Sequence, residues 1–404
     1  IFFRHHNVVF RIDGARMGHM YVAVWVLSAF QLAQGLRPQP EENIANIVDS
    51  NATVDELDPI NTHVGNWDNR SAEVRKLKFD LRPKPLSECV SFVTSIPDIQ
   101  GLGHAQANRN FGLMLAASLA DVGVCYAYPS LAELAVAKAR KSGNSVKGRV
   151  LGRWEKFIGK PVMDWPQVSQ VVGQYRPTRI HAAGRGSLLR YHEFLHQWRE
   201  PNKTYMFLSS DTYDHCPTAN WWGEYYLHRR SISGTAQPKL LLDPPRNGVV
   251  QVAVHLRRFD ITTIASRSKR VHHDHFFVNA IQEIRDLVPS PWRVSVNVMT
   301  STLFAHQAAT LRRSASTMYP NATLHLNDKE TDTFHAFVTA DILVLDWSRF
   351  SHLAGLWSRG IKIASEFRYA TDCDALWVAA TENGHVDKEG FRTAWQEWTS
   401  KTPE

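Results

Sequence analysis

Cysteine is scarce in this chain. Its 404 residues hold four, Cys89, Cys125, Cys216 and Cys373, and none sits in a Cys-x-x-Cys pair. That spacing argues against a zinc site and allows up to two disulfides, in any of three connectivities. A Walker motif and a complete Gly-x-Gly-x-x-Gly signature are both missing, which argues against other nucleotide-dependent enzymes. There is no recognised nucleic-acid motif and no run of basic residues interleaved with aromatics, so nucleic acid is not an expected partner. No apolar run reaches the roughly 20 residues of a comfortable membrane span.

What is present is a globular composition, 44% apolar and 21% charged, with a net charge of +7. The length suits two domains plus extras. A moderately basic balance fits an anionic ligand such as a sugar nucleotide, or an acidic membrane surface. Asn-x-Ser/Thr sequons stand at Asn51, Asn69, Asn202 and Asn321. Residues 1–36 contain the apolar run from Tyr21 to Ala33, with Arg16 just before it. It has the length of a signal-peptide core, with a short membrane anchor and a buried helix as alternatives. Together with the sequons it points to the secretory pathway, in the Golgi or endoplasmic reticulum lumen. Residues 37–85, rich in Pro, Glu, Asp and Asn, read as a stem or linker.

Strands and helices then alternate. Val90–Thr94 reads as a strand, Gly101-Leu-Gly-His104 as a glycine loop, and 105–121 as a helix. Strands follow at 122–126, 179–182 and 205–208, with helices at 131–141 and 187–199. Residues 142–176 look like an irregular insertion. The aromatic-rich segment from Trp221 to Arg230 reads as a helix in the core or at a domain contact. Three prolines mark Gln237–Arg246 as a domain linker. The second half repeats the alternation, with strands at 249–254, 294–298, 323–326, 341–345 and 361–364. Such alternation implies parallel sheets. The expected organisation is an N-terminal Rossmann-like domain over 86–240, a C-terminal one over 241–390, and a tail over 391–404, the two domains facing a cleft.

Two stretches carry chemistry. Val249–Asp260 is a β-branched run ending in His255, Arg257, Arg258 and Asp260. Ligands of open α/β sheets bind beyond the carboxyl ends of such strands, and paired guanidinium groups suit phosphate. The second stretch is Asp346-Trp-Ser-Arg-Phe-Ser351, between a strand and a helix. Ser348 and Ser351 can cap that helix and bind a phosphate or ribose hydroxyl, beside free backbone N–H groups. Arg349 adds charge, and Phe350, Leu353 and Leu356 face the core at helical spacing.

His255-Leu-Arg-Arg-Phe-Asp260 and Asp346-Trp-Ser-Arg-Phe-Ser351 resemble two motifs of the fucosyltransferase superfamily, which includes the α-1,2-, α-1,6- and protein O-fucosyltransferases. Gly101-Leu-Gly-His104 looks like the loop that opens the N-terminal domain of these enzymes. Phe259 stands where the family has glycine, and Asp346 and Arg349 where it has serines. The resemblance implies a GT-B fold and an inverting, metal-independent transferase with GDP-fucose as donor substrate and no cofactor. The acceptor would be a glycan or glycoprotein. Arg257 or Arg258 would bind the β-phosphate. Asp260 would orient the loop or touch guanine. His255, Gly101, Gly103, Asp346, Ser348, Arg349, Phe350 and Ser351 would line the nucleotide site. His104, Asp211 and Asp214 are candidates for the base. A different donor sugar, or a glycan-binding relative without catalysis, stays open. His272-His-Asp-His275 has metal-ligating residue types but reads as a solvated capping segment.

Overall fold

The computed structural model describes residues 2–5, 8–11, 56–57, 77–78, 80–81, 84–96, 102–128, 153–158, 166, 171, 176–182, 187–209, 216–231, 237–243, 248–258, 272–302, 305–365 and 375–401. The chain divides into two compact units, 1–47 and 48–404. In the first, β1 (Phe2–His5) pairs antiparallel with β2 (Val8–Arg11). The run from Tyr21 to Ala33 lies outside the described residues. Among those residues, no helix is long and apolar enough to cross a membrane.

The second unit is built on two parallel sheets. Its first half comprises β3 (Glu56–Leu57), β4 (Ser91–Ile96), α1 (Leu102–Ser118), β5 (Val124–Tyr126), β6 (Arg176–Ala182), α2 (Ser187–Trp198), β7 (Lys203–Ser209) and α3 (Cys216–Ser231). The strand order is β3-β6-β7-β4-β5. Two expectations need correction here. Glu56–Leu57 of the expected stem is the edge strand of this sheet, paired with Arg179 and Ile180. The insertion over 142–176 is not wholly irregular. Residues 153–158 are helical, and Trp154, Phe157 and Ile158 are buried in the core.

The second half comprises β8 (Val249–Leu256), α4 (Asp274–Leu287), β9 (Arg293–Thr300), α5 (Ala305–Met318), β10 (Ala322–Leu326), α6 (Glu330–Thr339), β11 (Ile342–Val344), α7 (Arg349–Trp357), β12 (Ile361–Ser365), β13 (Trp377–Ala380) and α8 (Lys388–Lys401). The sheet order, β10-β9-β8-β11-β12-β13, is the 3-2-1-4-5-6 order of a Rossmann sheet. Strands buried on both faces need apolar side chains on both. In β8, Val250, Val252 and Val254 enter one core cluster, while Ala253 enters the other. The tail expected over 391–404 lies largely within α8, which buries Phe391, Ala394, Trp395 and Trp398.

The halves join through helices. Trp222 of α3 stacks on Trp357 of α7 with ring centroids 6.1 Å apart. Gly223 lets the two helices meet, because a Cβ there would lie 2.6 Å from the Trp357 carbonyl oxygen. The Tyr226 hydroxyl is 2.9 Å from His335 Nδ1. Burial holds His335 far down, at about 4, so the ring is neutral. Trp154 adds edge contacts to Phe334 and Phe350. Arg359 pairs with Glu224 across the same junction. The segment from Trp221 to Arg230, expected in the core or at a domain contact, thus lies in a helix at the contact between the halves, with Trp222 and Tyr226 buried. α7 also packs on α1. The helices following β4 and β11 thus bring the carboxyl edges of the two sheets toward one crevice. This is the two-Rossmann, GT-B architecture.

Candidate active site

In a sheet of order 3-2-1-4-5-6, the chain leaves in opposite directions from the first and fourth strands. The crevice between them is where ligands bind. Here those strands are β8 and β11, paired in register from Ile342–Val252 to Val344–Val254. Both sequence motifs follow directly. Arg257 and Arg258 leave β8, and Asp346 to Ser351 leave β11.

Asp346 joins them. It is 1% exposed. Its Oδ2 accepts the Arg257 N–H at 2.8 Å, and its Oδ1 accepts the Trp347 N–H at 2.7 Å and the His272 N–H at 3.4 Å. Arg258 Nη1 lies 3.5 Å from Oδ2. Burial pushes the Asp346 carboxyl up to about 6, against the lowering effect of Arg258 and the backbone donors. Asp346 thus makes its contacts here within the protein. The carboxylate faces inward and ties two loops together.

Arg258 is half-buried and held on several sides. Its Nη2 donates to Asp274 Oδ1 at 2.8 Å and to the His272 carbonyl at 3.0 Å. Its Nη1 donates to the Arg257 carbonyl at 2.9 Å. The guanidinium also lies 5.7 Å from the Phe277 ring centroid. Arg257 Nη1 donates to the Trp347 carbonyl at 3.0 Å, a second tie between the strand ends. A guanidinium carries five donors in a fork, so such ties orient it.

Ser348 is the N-cap of α7, its Oγ accepting the Phe350 N–H at 3.2 Å. Ser351 is fully buried and donates to the carbonyls of Asp346 and Ser348, both at 3.2 Å. The capping role of Ser348 holds, whereas Ser351 braces the loop from beneath. Arg349 is the first residue of α7, at the positive end of its dipole. Phe350 turns to the aromatic junction, 5.5 Å from Phe334. His255 lies within β8 with its ring 5.1 Å from Phe337, again toward the junction.

Gly103 and His104 fall inside the first turn of α1, not in a preceding loop. Gly101, Asp211, Asp214, Phe259 and Asp260 lie outside the described residues. The His272-His-Asp-His275 stretch is divided in role. His272 is buried, stacked 4.1 Å from Phe276, and its Nε2 is 3.0 Å from Ser365 Oγ. Burial and then Arg258 hold it down at about 4, and so neutral. Asp274 pairs with Arg258. Among the described residues, no group of three or more metal-ligating side chains is gathered.

Ser365 was not evident from the sequence. It stands at the end of β12, beside the crevice, and accepts the Trp347 indole N–H at 2.9 Å. It thereby links Trp347 to His272. Its signal was available, since it is a hydroxyl at the carboxyl end of a buried parallel strand.

No family model matches the chain, and no curated protein is similar to it in sequence. Among solved structures, it is similar to the E. coli heptosyltransferase WaaC with ADP-2-deoxy-2-fluoro heptose. The identity is 10% and the TM-score 0.37, over 76% of this chain and 99% of that one. It is also similar to the Candida albicans trehalose-6-phosphate phosphatase N-terminal domain, at 12% identity and a TM-score of 0.29, over 81% and 91%. Likenesses so distant carry nothing about chemistry. The fold class rests on the two parallel sheets and on the Rossmann order of the second.

Proposed function

We propose that this chain is an inverting glycosyltransferase of the secretory pathway, acting in the Golgi or endoplasmic reticulum lumen. It transfers fucose from GDP-fucose to a glycan or glycoprotein, with no metal or other cofactor. One observation supports this reading most. The double-arginine strand end and the serine-capped helix, about 90 residues apart in sequence, meet at the switch point of a Rossmann-ordered sheet. That crevice suits a nucleotide diphosphate.

The chemistry follows from the charges. An acceptor hydroxyl oxygen attacks the anomeric carbon of the donor. The bond from that carbon to the β-phosphate oxygen breaks, and its electrons leave with the nucleoside diphosphate. Arg257, with Arg258 behind it, would meet that growing negative charge at the carboxyl ends of β8 and β11, where fixed cations stabilise it. The N-terminus of α7 and Arg349 add to the same field. The hydroxyl proton passes to a base. His104, in the first turn of α1, is the described candidate, and Asp211 and Asp214 are the others.

A second reading is a glycan-binding relative without catalysis. It is favoured by the engagement of Arg258 with Asp274 and two carbonyls. Incubating the protein with GDP-fucose over a glycan array, while measuring GDP release, separates the two. Fucose deposition with stoichiometric GDP supports transfer. Glycan capture without GDP release supports the second reading, and transfer from another sugar nucleotide corrects only the donor.

A further inference from the structure

We propose that Asn202 and Asn321 are N-glycosylation sites, placed so that both glycans stand away from the crevice. The proposal does not rest on the transferase reading. Asn202-Lys-Thr and Asn321-Ala-Thr are complete sequons. Both asparagines are exposed, and both have φ of 61° in the turn just before a strand. Asparagine tolerates that left-handed conformation, so its presence alone would be ordinary turn chemistry. Asn327 shows the difference. It has the same φ, but its side chain accepts the Thr302 N–H at 2.8 Å and donates to the Thr302 hydroxyl. Asn327 is not in a sequon. Asn327 is exposed as well, but its side chain is engaged by Thr302 and it lacks the motif, whereas Asn202 and Asn321 carry it.

The topology adds a second argument. Asn202 immediately precedes β7 and Asn321 immediately precedes β10. Both therefore lie at the amino edges of their parallel sheets. Ala322 is level with Val296, and Val296 with Val252. Asn321 is thus level with Gln251, six residues below Arg257, or about 20 Å along the strand. The crevice is at the opposite, carboxyl edge. A bulky sugar at either asparagine leaves it open.

The disulfide gives the third argument. Cys89 and Cys125, flanking β4 and in β5, are joined with their Cα atoms 5.6 Å apart. Disulfides persist in oxidising compartments, where N-glycosylation also takes place. In the modification, the asparagine Nδ2 bonds to the anomeric carbon of a lipid-diphosphate-linked oligosaccharide. The bond from that carbon to the diphosphate breaks, its electrons leave with the lipid diphosphate, and Nδ2 gives up one proton. Thr204 is buried within β7, so attachment at Asn202 precedes the closing of that sheet.

The test is to express the full chain behind a cleavable secretion leader in eukaryotic cells. The product is deglycosylated with peptide N-glycosidase in 18O water, and its peptides are read by mass spectrometry. The expected result is 18O-labelled aspartate at 202 and 321. Thr323→Ala, which keeps Asn321 in its turn, removes the second label and not the first. Recovery of unmodified asparagine at both positions overturns the proposal. So does labelling at Asn321 that survives Thr323→Ala.

Discussion

Asp346 is the residue on which the crevice depends, and Asp346→Ala tests that dependence quantitatively. The substitution strands the N–H groups of Arg257 and Trp347, now 2.8 and 2.7 Å from the carboxylate, in a buried setting. Each stranded donor costs about 1–3 kcal/mol. Loss of the Arg258 contact at 3.5 Å adds about 1–2 kcal/mol. Against this, the carboxylate is itself costly to bury. Its shift from 3.8 to about 6 corresponds to about 3 kcal/mol at neutral pH, on the scale of 1.36 kcal/mol per pH unit. That shift is net of the Arg258 and backbone contacts, and the two stranded donors put the loss at pH 7.5 at about 2–6 kcal/mol. The pH dependence carries the sign. A carboxyl raised in the folded state contributes stability that is fully present below its ordinary value of 3.8 and is lost as pH rises through about 6. Alanine has no such contribution. The deficit of the variant therefore widens as pH falls from 7.5 to 4, by up to about 3 kcal/mol. Urea denaturation of both proteins across that range measures it. A deficit that stays constant or narrows on acidification refutes the buried-clamp description of Asp346.

The other predictions are simpler. Sugar-nucleotide affinity strengthens several-fold as pH falls through about 6, because protonated Asp346 no longer opposes Arg258. A diphosphate diester does not titrate there, so titration calorimetry with GDP-fucose isolates the effect, and Asp346→Asn abolishes it. Gly223→Ala forces a Cβ to within 2.6 Å of the Trp357 carbonyl. It costs about 1–3 kcal/mol and exposes the junction between the halves to limited proteolysis. Ser365→Ala leaves the Trp347 indole N–H without its acceptor and costs about 1–3 kcal/mol by denaturation. Arg109 and Glu155 form a buried pair 2.8 Å apart. Arg109→Met alone costs about 3–5 kcal/mol, and adding Glu155→Leu recovers most of it.

The second half was legible because parallel strands buried on both faces write continuous apolar runs. Its five expected strands all form, with ends displaced by a few residues. The last strand and helix were not read. Lys388–Lys401 is polar along most of its length, although its core contact, Phe391, Ala394, Trp395 and Trp398, is at helical spacing. The helix over 153–158 was hidden in a glycine-containing stretch, although Trp154 and Phe157 anchor it in the core. At the crevice, the two motifs were found from residue type and order alone. Their internal division of labour was not. Asp346 and Ser351 look ligand-facing on paper, because acids and hydroxyls at strand ends often are, while His272 reads as part of a solvated capping segment. Only burial shows that they serve the loop. The pairing of Asp274 with Arg258 and the role of Ser365 escaped notice because the partners lie 16 and 18 residues away.

Titration calorimetry of GDP-fucose into the intact protein, with EDTA present, tests the central claim most directly. Micromolar binding that persists in EDTA and weakens at least tenfold in Arg257→Ala is the expected result, a loss of about 1.4 kcal/mol or more. No heat with GDP-fucose, GDP or any other sugar nucleotide, or binding unchanged in Arg257→Ala, contradicts a nucleotide site between β8 and β11.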